Sequence, residues 1–398
     1  MHILLLFPVF WPDELGGCAL YSDLARYLKE RGHRVTVVTS FPFYPRWQYY
    51  PQDRGVAYRV EDWEGITIHR VRMYIPQQPS GVKRILSDLS FLFNIGRTIP
   101  WTELRPTVAL TAYPTLGTCL AFRLWLGHTP RMLMIQDFVV DAALELGMLK
   151  VPLLAQILPL VERWALGHFN AVSSISPQMV TRAKQKVPSP CPVLELPNWI
   201  HASLQMGIDR YRDQVVRQWQ TQTITYSGNL GVKQGLGDFL EIFRDHHQGW
   251  TLIIRGEGAA KRDLAQWFQP GPRVQLADLL EEDAYCQSLL EMPLMLITQK
   301  AGSGASFLPS KLLSALVAGV PVLAFCELGT PLAQEIIAGG YGWVVSDQKG
   351  LAHVLKTITI ADLQQKSVHA RLRAEQYSRE RILSQYEKVL TKLAQKSM

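Results

Sequence analysis

The chain has 398 residues, 47% of them hydrophobic and 19% charged, and its 41 Lys and Arg against 34 Asp and Glu give a net charge of +7. This length and apolar content exclude a mini-protein and a disordered chain and leave room for two domains. The basic excess is dispersed, +5 over residues 1–200 (20 minus 15) and +2 over the rest (21 minus 19), with no block of like charge, so nucleic acid is not an expected partner.

Met1-His2-Ile3-Leu4-Leu5-Leu6-Phe7-Pro8 is apolar, yet it lacks a basic segment and a small-residue cleavage site, and Asp13 and Glu14 follow at once. It reads as a buried strand rather than a signal peptide. A helix over about Leu20–Arg31, then Gly32-His33 and the run Val35–Ser40, completes a β-α-β unit. Asp62-Trp63-Glu64 with Gly65 and a strand after it reads as a hairpin turn rather than a metal pair. Near-continuous apolar runs at Ile66–Val71, Val108–Ala112, Met132–Gln136, Ala171–Ile175 and Val193–Leu196 predict parallel strands covered on both faces. The uncharged stretch 106–122 is too short to span a membrane and contains Pro114 and Gly117.

From Asn198 to Gln222 the chain is polar with few strand signals, which puts a domain boundary near residue 200. The same grammar then repeats, with strands at Thr223–Tyr226, Thr251–Ile254, Val274–Leu276, Leu294–Ile297 and Pro321–Ala324. The expected organisation is a first Rossmann-like domain over 1–200, a second over 201–376, and a C-terminal helix over 377–398. This α/β architecture is two doubly wound domains facing a central cleft, with ligands held by loops at the carboxyl ends of the strands. Five cysteines at 18, 119, 191, 286 and 326, with no short spacing, fit reduced thiols in a cytoplasmic protein.

The loop motifs follow the strands. Gly16-Gly17, between the first strand and the first helix, is either an ordinary tight turn or a place where backbone amides approach a phosphate or sugar. Ser227-Gly228-Asn229-Leu230-Gly231-Val232-Lys233-Gln234-Gly235 offers free amides and one lysine just before a helix, an arrangement that stabilises a diphosphate; the other reading is a solvated lysine in a turn. It is not a P-loop, because Gly-x-x-x-x-Gly-Lys-Ser/Thr is absent. Arg255-Gly256-Glu257-Gly258 is a further loop of the same kind. Pro309-Ser310-Lys311 opens the helix ending at Gly319; a lysine in a first turn opposes the helix dipole unless an anion compensates it, which favours a second anion site. Asp137, after the run Met132–Gln136, is either a helix N-cap or a carboxylate that takes an acceptor hydroxyl's proton or binds a sugar hydroxyl.

Residues 41–51 hold six aromatics and three prolines, and Lys83-Arg84-Ile85-Leu86-Ser87-Asp88-Leu89-Ser90-Phe91-Leu92-Phe93 sets apolar side chains at helical spacing beside basic ones. Segments 41–51 and 83–101 together are either a patch for an anionic membrane surface or elements packed on their own sheet.

As a set, these loops resemble glycosyltransferase family 4, retaining enzymes of the GT-B fold. The resemblance rests on Gly16-Gly17, Ser173-Ser174-Ile175-Ser176, Pro197-Asn198, the loop Ser227–Gly235, Gly256-Glu257-Gly258, and Pro309-Ser310-Lys311 leading to Ala318-Gly319-Val320-Pro321. Ser40-Phe41-Pro42-Phe43-Tyr44-Pro45-Arg46-Trp47 and Gln136-Asp137 through Asp141 and Gly147 are similar to the colanic-acid and exopolysaccharide subgroup. Where the family often has two glutamates eight residues apart, this chain has Ser306 and Ser314; Asn229 and Gln136 stand at usually basic and histidine positions.

The resemblance implies transfer of a sugar, with retention, from a nucleotide-diphosphate-sugar to a glycan or polyprenyl-linked acceptor in cell-surface polysaccharide biosynthesis. Asp137, from its place after the strand, and Lys233, the cation left where Asn229 replaces the family's basic residue, are the expected catalytic residues. Gly16, Gly17, Gly228, Asn229, Lys233, Gly256, Glu257, Ser306, Ser310, Lys311 and Ser314 would bind the donor, with no metal or other cofactor. The enzyme would be cytoplasmic, peripheral to the inner face of the plasma membrane. A nucleotide-sugar epimerase on the same fold and a non-catalytic nucleotide-sugar-binding subunit are the alternatives.

Overall fold

The computed structural model describes residues 1–13, 17–44, 46–77, 81–141, 152–188, 190–258, 260–267, 273–304 and 308–396. The chain forms two compact units, one of residues 1–198 with the chain from Glu380 onward, the other of Trp199–Arg379.

The first unit is built on strands β1 (His2–Leu6), β2 (Arg34–Ser40), β3 (Tyr58–Trp63), β4 (Ile66–Val71), β5 (Val108–Tyr113), β6 (Arg131–Ile135), β7 (Ala171–Ser174) and β8 (Val193–Glu195). They form one sheet in the order β3-β4-β2-β1-β5-β6-β7-β8. β1 pairs in parallel with β2 (Ile3 opposite Val35) and with β5 (Ile3 opposite Val108), and every residue of β5 is buried, as helices on both faces require. β3 is the antiparallel arm of the hairpin whose turn the sequence places at Asp62-Trp63-Glu64-Gly65. It runs antiparallel to β4 through a turn in which Glu64 and Gly65 both have positive φ and the Gly65 N–H donates to Asp62 Oδ1 at 3.0 Å. Its Arg59, Glu61 and Asp62 suit a solvated edge and hid it from an apolar-run reading.

The helix Arg379–Gln395 buries Ile382, Leu383, Tyr386 and Leu390, four residues on one helical face. Its Tyr386 hydroxyl lies 3.4 Å from Ser173 Oγ, and Glu387 pairs with Arg31 (3.2 Å) and His33 (3.0 Å).

The second unit carries β9 (Thr223–Ser227), β10 (Thr251–Arg255), β11 (Val274–Ala277), β12 (Met295–Thr298), β13 (Val322–Phe325) and β14 (Gly342–Val345), parallel and ordered β11-β10-β9-β12-β13-β14. Chain order reverses between β9 and β12, so the loops after these two strands diverge and open a crevice at their carboxyl ends.

The polar stretch after Asn198, read from the sequence only as a domain boundary, holds a helix at Ala202–Tyr211; Leu204 and Ile208 are buried and Gly207 makes room for Cys286. Arg217 stitches two helix ends together, donating to Leu290 O (3.0 Å), Gly319 O (2.6 Å) and Ala318 O (2.6 Å). Burial without a carboxylate lowers its pKa to about 9. These bonds satisfy the terminal carbonyls of the helix Lys311–Ala318 and fix the element that carries Lys311.

Candidate active site

At the crevice of the second unit the loops after β9 and β10 are laced by backbone bonds: Gly228 N to Arg255 O (2.9 Å), Leu230 N to Glu257 O (2.8 Å) and Ala260 N to Leu230 O (2.9 Å). The approach demands glycine. A Cβ on Gly256 would lie 1.9 Å from Gly228 O, and one on Gly258 2.4 Å from Leu230 O. Gly228 itself faces Lys311, whose Nζ would stand 3.2 Å from an added Cβ. Three of the predicted residues, Gly228, Gly256 and Lys311, therefore share one cradle, with Asn229 exposed on its rim.

Lys311 begins its helix and is half-buried as a residue, but its Nζ is shielded from water and donates to no acceptor among the described residues. It rests 3.5 Å from the centroid of the Tyr226 ring, while the Tyr226 hydroxyl donates to Asn229 O at 2.7 Å. A ring face offsets part of the cost of desolvating an ammonium and none of its hydrogen-bonding demand. Burial lowers the Lys311 pKa to about 7. A shift of that size corresponds to about 5 kcal/mol of lost preference for the charged form. An anion in the cradle would restore it.

Lys233 lies in the short helical turn Val232–Gln234, and its carbonyl accepts from Lys300 N (3.0 Å) and Ser303 Oγ (3.2 Å). The loops after β9 and β12 are thus tied at Lys233, and Gly235 (φ +60) follows where a Cβ would lie 2.7 Å from Lys300 Cα. Glu257 is exposed and paired with Lys261 at 2.5 Å. Ser310 is exposed and makes no side-chain cap for its helix. Ser314 is buried on the same helix and hydrogen-bonded to the half-buried Tyr285. Gly16, Gly147 and Ser306 lie outside the described residues.

In the first unit, Gly17 opens the helix Gly17–Glu30, packed against the Tyr21 ring 3.0 Å from where a Cβ would sit. Asp137 follows β6, half-buried with Oδ1 out of water. Its neighbour Gln136 presents a buried Nε2 with no acceptor among the described residues. Sequence reasoning missed Asp13 as a site residue. Its Oδ2 accepts from Phe43 N (3.1 Å) and Tyr44 N (3.0 Å), Oδ1 is buried without a donor among the described residues, and burial raises its pKa. It missed Tyr226, whose ring face meets Lys311, and Thr298, whose buried Oγ1 has no partner among the described residues, since neither feature shows in the sequence.

Comparison with known proteins gives the chemistry. A family model described as a glycosyl transferase 4-like domain matches residues 16–199. Over 352 residues the chain is 32% identical to the colanic acid biosynthesis glycosyl transferase WcaI of Escherichia coli, covering 83% of this chain and 85% of that protein. The chain belongs to glycosyltransferase family 4.

Its fold is that of other glycosyltransferases. Sucrose-phosphate synthase from Thermosynechococcus elongatus superposes with a TM-score of 0.76 at 14% identity, over 99% of both chains. WaaG, a glycosyltransferase involved in lipopolysaccharide biosynthesis, gives 0.67 at 13% identity over 98% of this chain and 99% of its own. Anabaena HepE in complex with UDP gives 0.64 at 14% identity over 98% of this chain and all of its own, 100%. The chain is a family 4 glycosyltransferase with the GT-B fold, two Rossmann-like parallel-sheet domains.

Proposed function

We propose that this glycosyltransferase moves a sugar, with retention at the anomeric carbon, from a nucleoside-diphosphate donor to a glycan or lipid-linked acceptor in cell-surface polysaccharide biosynthesis. The observation that carries the donor class is the buried Lys311 ammonium, without an acceptor among the described residues, beside the glycine cradle of Gly228 and Gly256. When the bond between the sugar and the diphosphate breaks, negative charge grows on the departing oxygen. A preorganised cation and backbone amides in a water-poor site stabilise that charge most where it develops. Lys311 and Lys233 are assigned this role, Ser310 and Asn229 the rim, and Asp137 a hydrogen bond from an acceptor or sugar hydroxyl. In this reading lysine, not a metal ion, neutralises the leaving group.

Likeness to a colanic acid enzyme supports the polysaccharide, and family membership supports retention. The epimerase and the non-catalytic subunit gain no support from the comparisons.

Thermal shift with a panel of nucleotide sugars is the test, followed by transfer to lipid-linked acceptors and assignment of the product anomer by NMR. At least one nucleotide sugar raises Tm, the product keeps the donor's anomeric configuration, and Lys233→Ala abolishes transfer without changing Tm. Stabilisation by an unrelated ligand class alone, or an inverted product, overturns the reading.

A further inference from the structure

On the first unit three helices form one layer: Gly81–Thr98 packs on Leu116–Trp125, which packs on Pro152–Leu166. The first contact is close, for a Cβ on Gly96 would lie 2.2 Å from the Trp125 ring and one on Gly117 2.6 Å from Asp88 Oδ1. The outward side of this layer is unusually apolar. Leu86, Leu89 and Phe93 (67% exposed) follow helical spacing on the first helix, Leu124 stands on the second, and Leu160 (68%) and Trp164 (49%) on the third.

Charge on the same helices is sorted by sign. Both acids turn inward. Asp88 accepts from Gly117 N at 2.8 Å at the start of the middle helix, and Glu162, 1% exposed, is bonded to Tyr113 and Lys186. Lys83, Arg84, Arg97, Arg123 and Arg163 all remain exposed. Arg97 lies over Phe93 (5.9 Å to the ring centroid) and Arg123 over Trp164 (4.6 Å), so cations and apolar groups alternate over one surface. The aromatic segment 41–51 meets this face only at its edge: Arg84 lies over Trp47 (5.4 Å to the ring centroid), while Phe41 and Phe43 are buried and Asp13 holds the backbone of 43 and 44 from inside.

We propose that this three-helix face docks on an anionic lipid bilayer, its Leu, Phe and Trp side chains entering the boundary between headgroups and acyl chains and its arginines meeting lipid phosphates. The proposal extends the reading of a lipid-linked acceptor and adds the helices Leu116–Trp125 and Pro152–Leu166 to the surface expected from sequence. Amphipathic faces carrying both cations and large apolar side chains bind membranes by these two terms together. A second copy of the chain is the poorer occupant, because an isologous contact would set five outward cations against the same five with no outward acid on these helices to pair them.

Vesicle co-sedimentation tests it with the full chain. Wild type binds vesicles containing 30% phosphatidylglycerol, binds pure phosphatidylcholine vesicles at least tenfold more weakly, and loses binding as salt rises. Leu89→Glu with Phe93→Glu, and separately Leu160→Glu with Trp164→Glu, each weaken binding at least tenfold while Tm and the nucleotide-sugar thermal shift stay unchanged. The proposal fails if wild type ignores anionic vesicles or if the Leu160/Trp164 variant binds as well as wild type. It fails equally if wild type is a dimer that these substitutions dissociate. Donor binding is read independently, so failure here leaves the assigned chemistry standing.

Discussion

In the unit built on β1–β8, Lys186 Nζ sits between Glu162 and Asp141 (2.6 Å), with the Tyr113 hydroxyl on Glu162 and Arg182 on Asp141 (2.5 Å). In the unit built on β9–β14, Lys311 Nζ has the face of Tyr226 and, among the described residues, no acceptor. Both lysines are held away from bulk water; the first is closed by its own chain, and for the second the proposed function supplies an anion. A fold has no reason to keep an uncompensated ammonium for stability, since burying a charge without a partner costs free energy. The contrast separates a structural strut from a binding group with more certainty than sequence spacing does.

Replacing each lysine by methionine gives the largest effects and sends them in opposite directions. Lys186→Met leaves the buried Glu162 without a cation, while Asp141 keeps Arg182, and unfolding monitored by denaturant should lose about 3–5 kcal/mol. Lys311→Met removes an unpaid desolvation cost, so Tm stays level or rises, while kcat/KM falls by about 10²–10³-fold as for loss of one preorganised donor to a developing anion. A Lys311→Met enzyme that is destabilised and fully active would erase the distinction.

The pH dependence sharpens the same point. The Lys311 pKa is lowered by burial from 10.5 to about 7, so between those values the unfolded chain binds the extra proton. This group's contribution to stability therefore rises with pH across that window. A diphosphate favours the charged form and raises the pKa again, so binding takes up a proton. Above about pH 7 the affinity for the donor should fall, by up to tenfold per pH unit. Calorimetry of donor binding in buffers of different ionisation enthalpy reads the proton directly. Lys311→Met should abolish this slope, and a wild-type affinity independent of pH between 7 and 9 would mean the ammonium is not what meets the donor.

Much of this was legible before any coordinates. The β5 run read as Val108–Ala112 is a strand at Val108–Tyr113, and the other buried parallel strands were visible for the same reason: both faces apolar. β3 was not, because an edge strand carrying Arg59 and Glu61 has no such signature, and neither was the helix Ala202–Tyr211 within a polar stretch. The first-turn position of Lys311 hinted at an anion, but its missing acceptor and its ring partner depend on residues 85 positions apart in the chain (311 minus 226), which spacing does not reveal. Ser314 shows the same limit. Three positions after Lys311 on one helix, it is bonded to Tyr285, a partner 29 positions away in the chain (314 minus 285) that spacing does not reveal.

Glu257 is the smallest test and the most discriminating between an occupied and an available charge within the second unit. It sits between the two cradle glycines Gly256 and Gly258, where the sequence suggested a donor contact, yet its carboxylate is paired with Lys261, which also reaches Asp278 at 3.1 Å. The pair is well exposed, so Glu257→Gln should change unfolding free energy by less than about 0.5 kcal/mol, in the range of surface ion pairs. If the carboxylate stays with Lys261, donor KM moves by no more than about threefold, because no interaction with the donor has been removed. A rise of tenfold or more at unchanged stability would mean that Glu257 leaves Lys261 for a hydroxyl of the donor. The cradle would then contribute an acceptor of hydrogen bonds beside the Lys311 cation, and the contrast between self-satisfied and waiting charges would run through neighbouring residues of one loop.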